Sequence, residues 1–245
     1  MQGTAIDAVR ADRAALLELG ARLSPAEWRL ESGCQGWSVQ DVVAHMANLF
    51  WAVVDPSRLP ATEGMPTEQA QEVGVAARRT SGHAEILADY EQVSSAALDK
   101  LAELAVHDFQ VPLGDLGSYP MSILPSAYSF DHYLHIRADL FMPRGPLEGP
   151  PPADEFRLTS VLDWIEAALP QQNQSAADAV SLRLEITGPA ARTISFGTGQ
   201  PTATITSAAD AFARWVSQRG GWTELGVQAT GDSAALGYAG KLKVF

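Results

Sequence analysis

Apolar and polar residues follow two rhythms along this chain, a helical period in its first part and a two-residue period later. Over residues 4–23, Ile6, Val9, Ala14, Leu16, Leu17 and Leu19 sit near helical spacing, with Arg10, Asp12, Arg13 and Glu18 mostly between them. This predicts an amphipathic first helix that ends near Gly20 to Leu23. The words LSPAEW then place Ser24 as an N-cap and Pro25 at the first helical position of a short turn. A second helix is predicted from Ser38, because Ser38 and Asp41 form the acidic variant of a capping box ahead of an apolar run. Val42, His45, Leu49 and Ala52 share its face, so His45 points the way the hydrophobic residues point.

Residues 55–67 are rich in Pro, Gly and Ser and read as a loop. From about Thr67 the chain turns helical again. Ile86, Leu87, Tyr90, Val93, Ala97, Leu98, Leu101 and Leu104 form a long third stripe that stops before Pro112. After a connection over residues 111–125, punctuated by Gly and Pro, a fourth helix is predicted over residues 126–144, stopped by Pro143, Gly145 and Pro146. Tyr128, Leu134, Ala138 and Met142 line its apolar stripe, while His132 and Tyr133 project elsewhere, which predicts His132 at the surface or behind a site.

The segment GPLEGPPPAD, residues 145–154, suits a semi-rigid linker because its prolines favour extended backbone. Beyond it the period changes. One more amphipathic helix covers residues 156–169, and then residues 181–187 alternate strictly, with Leu182, Leu184 and Ile186 to one side and Arg183, Glu185 and Thr187 to the other. Residues 193–196 and 202–206 repeat that rhythm. Ser207 is expected to cap a helix that presents Ala211, Phe212, Trp215 and Val216 and ends at Gly220-Gly221; Leu225 and Val227 suggest a short strand, and residues 232–238 a terminal helix. The expected fold is therefore multi-domain, α plus α+β: a four-helix bundle over residues 1–148 and a small α+β domain over residues 155–245.

Composition narrows the functional classes. A hydrophobic fraction of 46% with 19% charged residues is that of a globular chain able to bury a core without staples. A net charge of -12, with 17 scattered basic residues, argues against nucleic acid and anionic membrane as partners and favours a small molecule. The single cysteine, Cys34, excludes an internal disulfide and a cysteine-based zinc site. Asp7, Arg10, Asp12 and Arg13 stand where a signal peptide would need an apolar run, so a cytoplasmic location is expected.

Asp131 and His135 carry the most suggestive chemistry. A spacing of four stacks a carboxylate and an imidazole on one helical face, which taken alone reads first as an ordinary hydrogen-bonded pair and second as half of a metal site. His45, taken alone, reads as a core histidine at least as well as a ligand. In a bundle, however, the second and fourth helices are able to bring His45 to that pair. Cys34 precedes the second helix with nothing beside it in sequence to lower its pKa, and reads as structural. His83, near the start of the third stripe, reads first as solvent-facing and second as a residue that approaches the site, and His107 receives no role.

GWSVQDVVAH before and through His45, and AYSFDHYLHIRADL around Asp131 and His135, resemble the mycothiol-dependent maleylpyruvate isomerase family. The resemblance covers nearly the whole chain. It implies a DinB-like metal-binding bundle followed by an α+β domain of the sterol-carrier-protein type. It also implies His45, Asp131 and His135 as ligands of a divalent metal, usually Zn2+, with mycothiol as the external thiol. One departure is visible: the family's carboxylate is commonly glutamate, and here it is the shorter Asp131. Two imidazoles and one carboxylate leave coordination positions open, as in catalytic rather than structural zinc. Thiol addition to a small electrophile then leads either to cis/trans isomerisation or to S-transfer. Arg219, in RWVSQRGGW, falls roughly where the family has a functional arginine, and reads otherwise as a cation at a helix C-terminus. A non-catalytic metal- or lipid-binding module of the same fold is the alternative.

Overall fold

The computed structural model of the chain describes residues 4–245, which divide into two compact units, one reaching Pro152 and the other covering Ala153–Phe245. The first unit is built on α1 (Ala5–Arg22), α2 (Val39–Val54), α3 (Thr67–Ala76), α4 (His83–Leu104) and α5 (Leu124–Leu134). α2 packs on α4, α1 packs on both α4 and α5, and α3 lies against α2. The predicted long third helix is thus two helices. The chain breaks over residues 77–82, with Gly82 capping α4, so α4 takes the bundle position and α3 is free to cover α2. The connection after α4 holds a small hairpin of β1 (Gln110–Pro112) and β2 (Ser118–Pro120).

Local chemistry explains the helix starts. Thr4 and Asp7 close a capping box at α1, and Ser38 and Asp41 close the one expected at α2. Ser24 bonds the Glu27 carboxylate at the entry to a single 3-10 turn, Glu27–Arg29. α5 does not run on as an α-helix to residue 144. From His135 to Leu140 it widens into a π-helical segment in which all six residues are buried, a distortion frequent at functional sites. Met142, expected on the apolar stripe, is 53% exposed because the helix has ended by then.

Burial also overturns the expectation that charge marks the solvent face. Asp12 and Arg137 are 0% and 2% exposed and pair through Nη1–Oδ2 and Nη2–Oδ1 contacts of 3.2 and 2.8 Å. Arg137 lies 4.4 Å over the Tyr133 ring, and its Nε donates to the Pro152 carbonyl. The pair ties α1 to the π-helical segment that follows α5.

The second unit begins with α6 (Glu155–Gln172) and α7 (Gln174–Ala179), then forms a sheet of β3 (Leu182–Thr187), β4 (Arg192–Phe196), β5 (Ala203–Ala208) and β6 (Gln228–Gly231). The order is β4-β3-β5-β6; β3 pairs antiparallel with β4 and parallel with β5, and β5 pairs antiparallel with β6. Leu182, Leu184, Ile186, Ile194 and Ile205 turn to the buried face, where α6 and α8 (Ala209–Val216) pack. The expected strand near Leu225 is instead the short helix α9 (Trp222–Leu225), and the strand follows it; α10 (Ser233–Ala239) comes last. α8 stops at Val216, before the two glycines. Gln218 takes the left-handed conformation (φ 63°), and backbone bonds from Gln218 to Trp215 and from Arg219 to Arg214 close the end. Among the described residues no helix is long and apolar enough to cross a membrane.

Candidate metal centre

The capping box fixes where α2 begins, and seven residues after Ser38 the chain delivers His45 into the bundle at 5% exposure. One turn of α5 separates Asp131 from His135, at the junction with the π-helical segment. The structure brings all three together. His45 Nε2 lies 3.2 Å from Asp131 Oδ1, and His135 Nε2 lies 3.3 Å from the same oxygen. The two imidazole centroids are 4.8 Å apart, edge to face.

Those separations suit an ion-pair network and a coordination site alike. Charge-assisted N–H···O bonds run about 2.7–2.9 Å and ordinary ones to about 3.2 Å, so the contacts sit at the long end of hydrogen bonding. Ligand atoms held about 2.0–2.1 Å from one tetrahedral ion are about 3.3 Å from each other, and both contacts match. His45 Nδ1 and Asp131 Oδ2 are buried without a hydrogen-bond partner among the described residues. The donor set therefore fits a divalent cation, and the shorter aspartate reaches both imidazoles. The side chains of His45 and His135 are 7% and 8% exposed while that of Asp131 is 21% exposed, so the carboxylate marks the open side.

Three neighbours escaped the sequence reading. Asp139, fully buried, places Oδ2 2.9 Å from His135 Nδ1. That contact holds a proton on Nδ1 and turns the Nε2 lone pair toward Asp131. Asp139 is itself seated by the loop before α2: Gly33 N donates to its carbonyl at 2.7 Å, and a Cβ at Gly33 would fall 2.9 Å from the Asp139 Cα. Arg144 bonds the Gly33 carbonyl at 2.6 Å and lies 3.6 Å from Asp139 Oδ1. The signal was present as a second spacing of four, Asp131, His135, Asp139. It was lost because a charged residue late in a helix reads as solvated.

Cys34 requires a correction. Its Sγ lies 3.7 Å from His135 Nδ1, within a second ligand-type group with Asp139, so the thiol does have an imidazole and a carboxylate beside it. Trp37, on the same loop, sets its ring 5.2 Å from His45 and donates Nε1–H to Glu72 at 2.7 Å. His132 is not at the surface. It is fully buried between Phe50 and Tyr90, its Nδ1 3.0 Å from the Tyr128 carbonyl, and burial holds its pKa below the ordinary imidazole value. His83 stacks on Trp28. Arg219 belongs to the second unit, where its Nη1 donates to the Ser217 carbonyl at 3.2 Å in the turn that closes α8.

Replacing Asp139 by asparagine removes the acceptor that fixes His135 and is expected to weaken metal affinity roughly 10–100-fold with the helix content unchanged. Competition against a chromophoric chelator reads this directly, and unchanged affinity would show that Asp139 does not orient the imidazole.

Burial opposes charge on both Asp131 and His135, yet their mutual attraction prevails. His135 and His45 hold the Asp131 carboxyl well below the usual carboxylate range, and Asp131, Cys34 and Asp139 hold His135 well above the ordinary imidazole value. In the metal-free protein the depressed Asp131 contributes stability that is present above its unfolded value and is lost as pH falls through the folded one. The raised His135 contributes stability that is present in full below its unfolded value and is lost as pH rises through the folded one. Metal binding has the opposite slope, since imidazole must lose its proton to ligate. As pH rises from the ordinary imidazole value toward the raised folded value of His135, the chelated protein is expected to melt at progressively lower temperature while the gain on adding Zn2+ grows. Parallel slopes in thermal scans would contradict this.

A helical bundle with two imidazoles and a carboxylate converging inside it, followed by a sheet-containing unit, defines a class of bundle proteins with an internal ligand set. The chain belongs to the family described as the mycothiol maleylpyruvate isomerase N-terminal domain, which matches residues 9–135. Two solved structures share the fold: the crystal structure of the mycothiol-dependent maleylpyruvate isomerase, at TM-score 0.60, and that of a histidine-to-alanine mutant of it, at 0.59. Each is 17% identical, with 93% of this chain and 92% of that chain covered. No curated protein matches.

Proposed function

We propose that this protein is a metal-dependent enzyme that uses an external low-molecular-weight thiol, mycothiol by family, on a small unsaturated electrophile. The observation that carries this reading is the pair of contacts at 3.2 and 3.3 Å from Asp131 Oδ1 to His45 Nε2 and His135 Nε2. His45, Asp131 and His135 would hold the cation, with Zn2+ the ion that two imidazoles and a carboxylate suit. When bound, such a cation lowers the pKa of an incoming thiol and so supplies thiolate at neutral pH.

The protein's own residues do the rest. Asp139 keeps His135 in the tautomer that ligates, and the Trp37 ring walls the imidazole side. Asp131, the most exposed of the three side chains, is the side from which the thiol and its target would approach. Addition of the sulfur to a conjugated double bond forms a C–S bond and leaves a single bond free to rotate. Elimination breaks the C–S bond and restores the alkene in the other geometry, so the thiol is regenerated and no redox change occurs. If the anionic adduct instead takes up at carbon the proton that the thiol released, the C–S bond is kept and the same addition is S-transfer.

The test is turnover of a cis-configured, conjugated keto-dicarboxylate, followed by the loss of its absorbance, with and without thiol. Dependence on both thiol and metal, abolished by a chelator and restored by Zn2+, supports the enzyme. Stoichiometric metal with no thiol-dependent reaction on any electrophile would leave a binding module instead.

A further inference from the structure

Away from the metal centre, α2, α3 and α4 enclose a cleft of ≈ 480 Å³ lined by Asn48, Trp51, Arg58, Arg78, Glu85 and Asp89 among others. Its volume lies within the range of small-molecule sites, about 300–1,000 Å³. None of His45, Asp131 and His135 lines it.

Its polar groups are unevenly matched. Arg78 is anchored through two of its five N–H donors: Nη1 donates to Asn48 Oδ1 at 3.1 Å and Nη2 to Asp89 Oδ2 at 2.6 Å, the oxygen that Trp51 Nε1–H also reaches at 2.9 Å. Asp89 is thereby paired through Oδ2. Arg58 is not. Its guanidinium lies 3.9 Å over the Trp51 ring and has no hydrogen bond or ion pair with the described residues, in a chain whose 29 acidic residues outnumber 17 basic ones. Glu85, the remaining acid of the lining, is exposed and makes no ion pair with the described residues.

Asn48 supplies an independent sign of a ligand. The residue is 5% exposed, and the bond from Arg78 to its Oδ1 fixes the amide so that Nδ2 points the other way, where it has no partner among the described residues. Gly74, in the body of α3, stands beside that nitrogen: a Cβ there would lie 3.0 Å from Asn48 Nδ2. Glycine inside a helix costs about 1 kcal/mol relative to alanine, and here it keeps the donor's surroundings clear. An exposed, unmatched guanidinium stacked on Trp51 and an orphaned buried amide N–H are the complement of an acceptor-rich anion.

We propose that this cleft is a second small-molecule site, separate from the metal centre, that takes a small organic carboxylate. Arg58 receives the carboxylate, Asn48 Nδ2–H and Arg78 supply further donors, and Leu59 and Pro60 meet the ligand's carbon body. The flat guanidinium suits two parallel N–H···O bonds, and stacking on Trp51 holds its plane before the ligand arrives.

The experiment is a titration of the full chain with succinate, read by 15N nuclear magnetic resonance at the Arg58 and Arg78 Nε–H groups and the Asn48 side-chain amide. Saturable shifts at all three sites are expected, weakened about tenfold or more in Arg58→Gln and in Asn48→Asp, which turns the donor into an acceptor. His135→Ala should leave the titration unchanged. Shifts that do not saturate, equal affinity in Arg58→Gln, or loss of binding in His135→Ala would overturn a separate carboxylate site. Inorganic phosphate binding as tightly as succinate would overturn the carboxylate assignment.

Discussion

Alanine in place of His135 is expected to strip the protein of stoichiometric divalent metal while its helical circular dichroism stays as it was. His135 sits at the junction of two contacts: Nε2 faces Asp131 Oδ1 at 3.3 Å, and Nδ1 faces Asp139 Oδ2 at 2.9 Å. Removing it leaves one imidazole and one carboxylate, and two protein ligands do not make the three-ligand site that catalytic zinc uses. The loss should exceed the roughly 10–100-fold that a supporting hydrogen bond contributes, so the metal should fall away during purification. Asp131→Asn is the companion variant, since it preserves volume and removes the anionic ligand. Metal analysis of both settles the matter, and stoichiometric zinc in either one, with the fold intact, would sink the ligand assignment.

The second large effect lies in the core. Asp12→Ala should destabilise the bundle by about 3–5 kcal/mol, because it leaves the Arg137 guanidinium buried without its carboxylate. Both groups are almost wholly inaccessible, and the two N–H···O contacts are 125 residues apart in sequence. Replacing both partners with apolar residues of similar size, Asp12→Leu with Arg137→Met, should recover most of the loss, since the penalty arises from the unpaired charge rather than from the missing bond. Urea unfolding of the three proteins separates these terms, and a change under about 1 kcal/mol in Asp12→Ala would mean that water or another group solvates Arg137. Because Arg137 lies two residues beyond His135 in the same π-helical segment, Asp12→Ala is also expected to reduce metal retention.

The sequence by itself determined what depends on neighbours within a few residues. The capping box at Ser38 set the start of α2 and with it the inward direction of His45; the spacing of Asp131 and His135 put both on one side of α5; the change of period after the prolines separated helices from strands. These features are local, since a cap or a period is complete within one or two turns. Only the tertiary structure decided which charges turn inward. Nothing in the sequence marks Asp12, Arg137 and Asp139 as buried, since hydropathy assigns every charge to water, and each is buried because its partner arrives from a distant segment or from a π-helical turn that no period announces. Of the two places open to His132, the surface or behind the site, the fold took the buried one beside Asp131, and Cys34 meets His135 where the Gly33 loop closes on Asp139. A burial penalty of several kcal/mol per ion is offset solely by contacts made in three dimensions, and so the inner side of the site had to wait for the fold.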